Sequence, residues 1–176
     1  MIKRILETPF IIFALIAAIS FSALAAAFVA EGVLNLEPCQ LCITQRYPFA
    51  FGLLAGIIGM VFKSKKTLSV ILLLLCSIAF LGNSAVAFYH TGVEQHWWES
   101  AIEGCTIAEF EDNSGKSILE NLLSAPMGDC SMIPWQDPIF GFSMANWNIP
   151  FCFGLFLFCL VGAYFVKRRQ EPLASS

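Results

Sequence analysis

An all-α membrane protein, a bundle of four transmembrane helices, follows from three features of the chain. Of its 176 residues 57% are apolar and only 13% are charged, against about 25% charged in an ordinary soluble domain. Four stretches approach or reach the roughly 20 apolar residues that a spanning helix needs. Lys and Arg gather at one set of ends of those stretches. A soluble chain this small has a large surface for its volume and needs more charge to cover it. Composition and a mean hydropathy of +0.72 therefore exclude a soluble globule and a disordered chain. A net charge of −3 excludes a basic nucleic-acid binder.

The four spans run over about 9–30, 43–62, 68–88 and 149–166. The first, third and fourth contain no charge, and the second contains only Arg46, near its start. Richness in Phe and Leu without period-2 alternation points to helices, not barrel strands. The first span, with Lys3 and Arg4 ahead of it, has the charge pattern of a signal peptide. Its apolar run exceeds the 7–15 residues of a signal-peptide core, so it reads as a retained helix.

Lys3, Arg4, Lys63, Lys65, Lys66, Lys167, Arg168 and Arg169 are eight of the ten basic residues, and all fall on one side. Cytoplasmic loops carry that excess. Both termini are thus expected in the cytoplasm, with loops of about 31–42 and 89–148 facing out. The outer loops hold Glu94, Glu99, Glu103, Glu109, Glu111 and Asp112. The chain reads as one membrane domain, 1–176, with its two outer loops on the same side. No internal repeat interrupts it.

The long loop is expected to lie over the bundle and to carry a short amphipathic helix at Gly115–Ser124. Ile118, Leu119, Leu122 and Leu123 share one face of it. That helix either rests on the membrane surface or packs on its own loop. Trp97, Trp98, Trp135 and Trp147 read as interfacial anchors.

Seven cysteines divide by setting. Cys76, Cys152 and Cys159 lie inside spans with nothing polar around them and read as packing residues. Cys39, Cys42, Cys105 and Cys130 lie outside, on the side where disulfides persist. Four cysteines allow three connectivities. The two-residue separation of Cys39 and Cys42 makes the local pair the simplest, leaving Cys105 and Cys130 for the other. A Cys-x-x-Cys bridge closes so short a loop that it stabilises little, which favours redox or metal chemistry for it. With Pro38 suited to a first helical position, Cys39 and Cys42 are expected in the first turn of span two. The positive end of the helix dipole favours thiolate there. Arg46 continues the same stripe, at i, i+3, i+7.

A cation at the edge of a span marks function by default, although a long side chain there also snorkels to headgroups. Beneath a dithiol, Arg46 is suited to hold a thiolate or an anion forming on a bound acceptor. His90 falls at the end of span three, within reach of the outer end of span two.

The run Glu37-Pro-Cys-Gln-Leu-Cys-Ile-Thr-Gln-Arg46 with the following Tyr-Pro, the segment Tyr89-His-Thr-Gly-Val-Glu94, and Gly141-Phe-Ser-Met-Ala-Asn-Trp-Asn148 resemble the DsbB family of bacterial inner-membrane disulfide bond formation proteins. The resemblance covers nearly the whole chain. It implies a protein-dithiol:quinone oxidoreductase. Such an enzyme reoxidises a periplasmic DsbA-like thioredoxin-fold protein and passes two electrons to the membrane quinone pool, ubiquinone or menaquinone. It also implies disulfides Cys39–Cys42 and Cys105–Cys130, with Cys105 forming the mixed disulfide with the partner. Cys42 would be the thiolate that meets quinone, Arg46 would stabilise that thiolate or the reduced quinone, and His90 would lie by the quinone ring.

The competing class is a membrane metal-binding protein using Cys39, Cys42, His90 and His96. The charge of Arg46 and the lack of a second close ligand pair count against it. Ile43, where haem attachment requires His, excludes a c-type haem site.

Overall fold

The computed structural model describes residues 8–102 and 128–168. The expected helix at 115–124, Cys105 and both chain ends lie outside them. Among the described residues the chain is helical without strands: α1 Pro9–Gly32, α2 Gln40–Thr44, α3 Arg46–Val61, α4 Lys66–Glu94 and α5 Met144–Arg168. Four are long and apolar enough to cross a membrane when α2 and α3 are taken as one span.

α1 starts with Pro9 at its first position, where the missing N–H costs nothing. α3 packs against α1 through a face of small residues. A Cβ on Gly52 would lie 2.7 Å from Ser20 Oγ, and one on Gly56 would lie 2.8 Å from Ala17 Cβ and 2.9 Å from the Phe13 carbonyl. The two backbones therefore approach as closely as helices do within membranes.

α4 packs along α5. Ser77 Oγ donates to the Phe156 carbonyl at 3.3 Å, and Ser84 Oγ to the Ile149 carbonyl at 3.0 Å. Ile12, Phe13, Ile16, Leu73, Phe80 and Leu155 meet at the centre of the bundle, with Cys76, Cys152 and Cys159 buried among them.

Two boundaries differ from the sequence reading, each for a local reason. The span expected at 43–62 is two helices, parted at Gln45. Pro48 has no N–H to give the Thr44 carbonyl; the Thr44 hydroxyl separately donates to the Gln40 carbonyl at 2.9 Å. α4 overruns its apolar stretch and takes in Tyr89, His90, Thr91 and Glu94, which were expected in a loop. Its 29 residues span about 43 Å at 1.5 Å per residue, well beyond a hydrocarbon layer of about 30 Å.

α4 stops where His96 adopts φ +56°. The Trp97 N–H then reaches the Gly92 carbonyl at 2.8 Å and the His96 N–H the Val93 carbonyl at 3.1 Å, a Schellman ending with histidine in the usual glycine place. The Trp98 ring folds back over Gly92, where a Cβ would meet it at 1.9 Å. It stacks on Tyr89 and donates from Nε1 to the Tyr89 carbonyl at 3.2 Å. Trp98 thus packs on the end of α4, a role beyond the interfacial anchoring expected of it.

Candidate functional site

The end of α1, the start of α2–α3, the end of α4 and the start of α5 meet around a cavity of about 880 Å³. Ala23, Ala26, Ala27 and Ala30 of α1, with Phe49 and Phe151, give it apolar walls. Cys39, Cys42, Gln45, Arg46, His90 and Glu94 supply its polar end.

Cys39 caps α2 and does not lie inside it. Its backbone is extended, at φ −80° and ψ 168°, and its Sγ accepts the Cys42 N–H at 3.2 Å, the part usually played by a Ser or Thr oxygen. The expectation that both thiols share the first turn is corrected by one residue. Cys39 and Cys42 are free thiols whose Sγ atoms lie 2.8 Å apart, a small side-chain rotation from the about 2.05 Å of a disulfide. The hydrogen bond to Cys42 and burial push the Cys39 thiol well above the usual range.

His90 is 3% exposed. Its Nε2 lies 3.5 Å from Cys39 Sγ, and its Nδ1 lies 2.9 Å from the Gln45 side-chain amide. The Gln45 Oε1 accepts from Asn148 Nδ2 at 2.6 Å, and the Gln45 carbonyl accepts from Asn83 Nδ2 at 3.1 Å. Asn83 also reaches Cys152 Sγ at 3.3 Å, and Cys152 donates to Asn148 Oδ1 at 3.1 Å. The reading of Cys152 as a packing residue with nothing polar around it is corrected here. Its sulfur closes a ring of buried amides that ties α3, α4 and α5 to the imidazole.

Arg46 opens α3. Its Nη2 donates to Glu31 Oε1 in the last turn of α1, and its guanidinium carbon lies 5.5 Å from the centre of the Phe28 ring. The side chain is therefore held by α1.

Segment 128–143 crosses the polar end. Gly128 bridges Cys39 in parallel, and a Cβ on it would meet the Glu37 carbonyl at 2.8 Å. Cys130 is fully buried in one apolar cluster with Cys39, Leu41 and Val93, and it is disulfide-bonded. The Gly128 bridge brings the segment that carries Cys130 against Cys39.

Of the four ligands named for a cation, Cys39, Cys42 and His90 place their donor atoms within 4.8 Å of one another. His96 is exposed, outside that group, and ends α4.

Sequence reasoning missed Glu31, Gln45, Asn83, Glu94, Ser143 and Asn148. Two signals were available. Asn83 is a lone amide deep inside an apolar run, and Glu94 closes the Tyr89–Glu94 motif.

The family model described as Disulfide bond formation protein DsbB matches residues 9–162. The chain is 30% identical over 177 residues to Disulfide bond formation protein B of Albidiferax ferrireducens, covering 96% of this chain and 94% of that one. It is 29% identical over 163 residues to the protein of that name from Psychromonas ingrahamii, covering 90% and 85%. With an uncharacterized protein of Rickettsia prowazekii it shares 26% over 153 residues, 86% of each chain. No solved structure matches it.

Proposed function

The chain belongs to the DsbB family of disulfide bond formation proteins, multi-pass oxidoreductases of the bacterial inner membrane, and from that premise we propose that it is a protein-dithiol:quinone oxidoreductase. Its donor is a periplasmic DsbA-like dithiol protein, and its acceptor is ubiquinone or menaquinone of the membrane pool. Cys105 forms the mixed disulfide with the donor, and Cys130 is its partner in the resting disulfide. That pairing is supported by a disulfide-bonded Cys130 beside five described cysteines with free thiols.

One observation carries the reading. Cys39 lies 2.8 Å from Cys42 and shares one buried cluster with Cys130. Disulfide exchange proceeds by a thiolate attacking a neighbouring disulfide sulfur. Oxidising equivalents therefore have a short route from the Cys39–Cys42 pair to the Cys105–Cys130 pair.

The cavity suits a flat, lipid-soluble ring. Its α1 wall is built of alanines that leave room a larger side chain would fill, and its donors and cation gather at one end. A bound quinone supplies an acceptor for two electrons and two protons. Cys42, half-exposed on the cavity wall, presents its sulfur there. Arg46 would hold negative charge, and His90 would offer a polar edge. A fixed cation in a site of low dielectric counts for far more than one in water.

The test is reduction of ubiquinone and of menaquinone by the purified protein, followed by absorbance, with a reduced DsbA-type protein as donor. Turnover with either quinone is expected. Absence of turnover with both would overturn the proposal.

A further inference from the structure

Glu94 is 5% exposed, lines the cavity, and has no part in the roles assigned above. It is the last residue of α4, one turn beyond His90. Ser143 Oγ donates to its Oε2. The same hydroxyl oxygen accepts the Asn146 N–H at 3.1 Å and so caps the start of α5. The other carboxylate oxygen, Oε1, lies 3.7 Å from His90 Nε2, the nitrogen that is 3.5 Å from Cys39 Sγ. A carboxylate this buried is costly unless paired, and its pairing is with the one imidazole that touches a redox thiol.

We propose that Glu94 is a positioning residue of the thiol chemistry: held by Ser143, its carboxylate is the counter-charge that lets His90 take the proton of Cys39. The inference rests on the proposed function for its acceptor.

Closing the Cys39–Cys42 disulfide breaks the Cys39 S–H bond and forms one S–S bond. Two electrons leave the sulfur pair for an acceptor of the quinone class, and the two thiol protons leave with them. Cys39 resists giving up its proton, being hydrogen-bonded to Cys42 and buried. The base within reach is His90 Nε2.

For Nε2 to accept, Nδ1 must carry the ring proton, and the Gln45 amide decides that. Its NH2 end faces Nδ1 in the observed network, but which end of such an amide points where is set by its partners. Turning Gln45 and Asn148 over together puts oxygen toward Nδ1 and keeps the contact between the two amides, at the loss of the Gln45 donation to the Leu41 carbonyl and the Cys152 donation to Asn148 Oδ1. The imidazole then becomes a cation with acceptors on both sides: Gln45 at Nδ1 and Glu94 at Nε2.

Without Glu94 that cation would lack its nearest counter-charge in an apolar-walled cavity. The other charged and titratable groups lining it are Cys42 on α2, Arg46 on α3, Glu37 ahead of Cys39, Asp129 on the crossing segment and Glu31 on α1, the last already paired with Arg46.

The test reads the proton step without quinone. Reduced, quinone-free protein is mixed with the small disulfide cystamine across a pH series. Mass spectrometry follows the mixed disulfide at Cys42 and its resolution by Cys39. Glu94→Gln keeps the shape and the Ser143 contact but loses the charge. It is expected to accumulate the mixed disulfide and to close it at least about tenfold more slowly at neutral pH, with the rate recovering in alkali. Glu94→Asp should lie nearer wild type.

Closure of Glu94→Gln at the wild-type rate throughout the series would overturn the proposal. Thermal unfolding checks folding of each variant. If Glu94→Gln does not fold, Ser143→Ala, which frees the carboxylate, must shift the closure profile toward alkali, and an unshifted profile overturns the proposal equally. Quinone turnover by the wild type is scored separately, so failure of the proposed function and failure of this inference are distinct results.

Discussion

Arg46 is paired with Glu31 across the mouth of the cavity, from the first residue of α3 to the last turn of α1. Phe28, one turn earlier on α1, puts its ring against the same guanidinium. The cation is thereby fixed in the wall of the cavity.

Arg46→Met, which keeps an apolar stem and removes the charge, should lower steady-state quinone reduction by roughly a hundredfold or more, the about 2–4 kcal/mol that loss of a preorganised charge costs a transition state. Arg46→Lys keeps the charge without the planar fork that grips Glu31, and its defect should be milder. Equal rates for wild type and Arg46→Met at saturating quinone would remove Arg46 from the reaction.

Order of electron flow is read from the second cysteine pair. Cys105→Ala and Cys130→Ala should each abolish oxidation of the dithiol donor while leaving the Cys39–Cys42 pair oxidisable by quinone. The readouts are donor oxidation by gel shift and thiol counting at Cys39 and Cys42. Donor oxidation at the wild-type rate in either variant would break the relay.

The two thiols of the first pair should alkylate unequally. Hydrogen bonding to Cys42 and burial hold the Cys39 thiol above its ordinary range, and a raised value means less thiolate at a given pH. Only thiolate reacts. Iodoacetamide at neutral pH should therefore label Cys42 first, with Cys39 following as pH rises. Peptide mass spectrometry that finds Cys39 labelled first would contradict the geometry.

Packing of α1 on α3 predicts a contrast between two glycines. A Cβ at Gly56 meets backbone of α1 at 2.9 Å, whereas one at Gly82, on α4, meets nothing within 4 Å. Gly56→Ala should destabilise by about 1–3 kcal/mol through overpacking. Gly82→Ala should be neutral or stabilise by up to about 1 kcal/mol through helix propensity. Reversible unfolding in detergent measures both, and equal effects would mean that the two helices separate readily.

The four spans were legible because moving charge into lipid is so costly that apolar length alone betrays them. Cys39 and Cys42 were legible because two-residue spacing has few structural uses. The ends of the helices were not. Tyr89, His90, Thr91 and Glu94 look like loop by polarity, but they continue α4 because each has a partner there: Tyr89 the Ala101 N–H and the Trp98 ring, His90 the Gln45 amide, and Glu94 the Ser143 hydroxyl. The amide ring was hidden for a related reason. Gln45, Asn83 and Asn148 are isolated in sequence, and only the crossing of three helices makes them neighbours. The burial of Cys130 goes with a contact of Gly128 on Cys39 that no spacing rule foretells.

α4 behaves as a key cut with several teeth. Along one rod, Ser77 and Ser84 engage carbonyls of α5, Asn83 and His90 engage Gln45 at the joint of α2 and α3, and Glu94 engages Ser143 just ahead of α5. Sliding such a rod by one turn would disengage every tooth together, since an α-helical turn is about 5.4 Å and a hydrogen bond spans about 3 Å. A bundle assembled one turn out of step therefore cannot keep part of the redox site. The thiols, the imidazole and the carboxylate come into alignment as a set, and a misthreaded molecule is left inert instead of half-active.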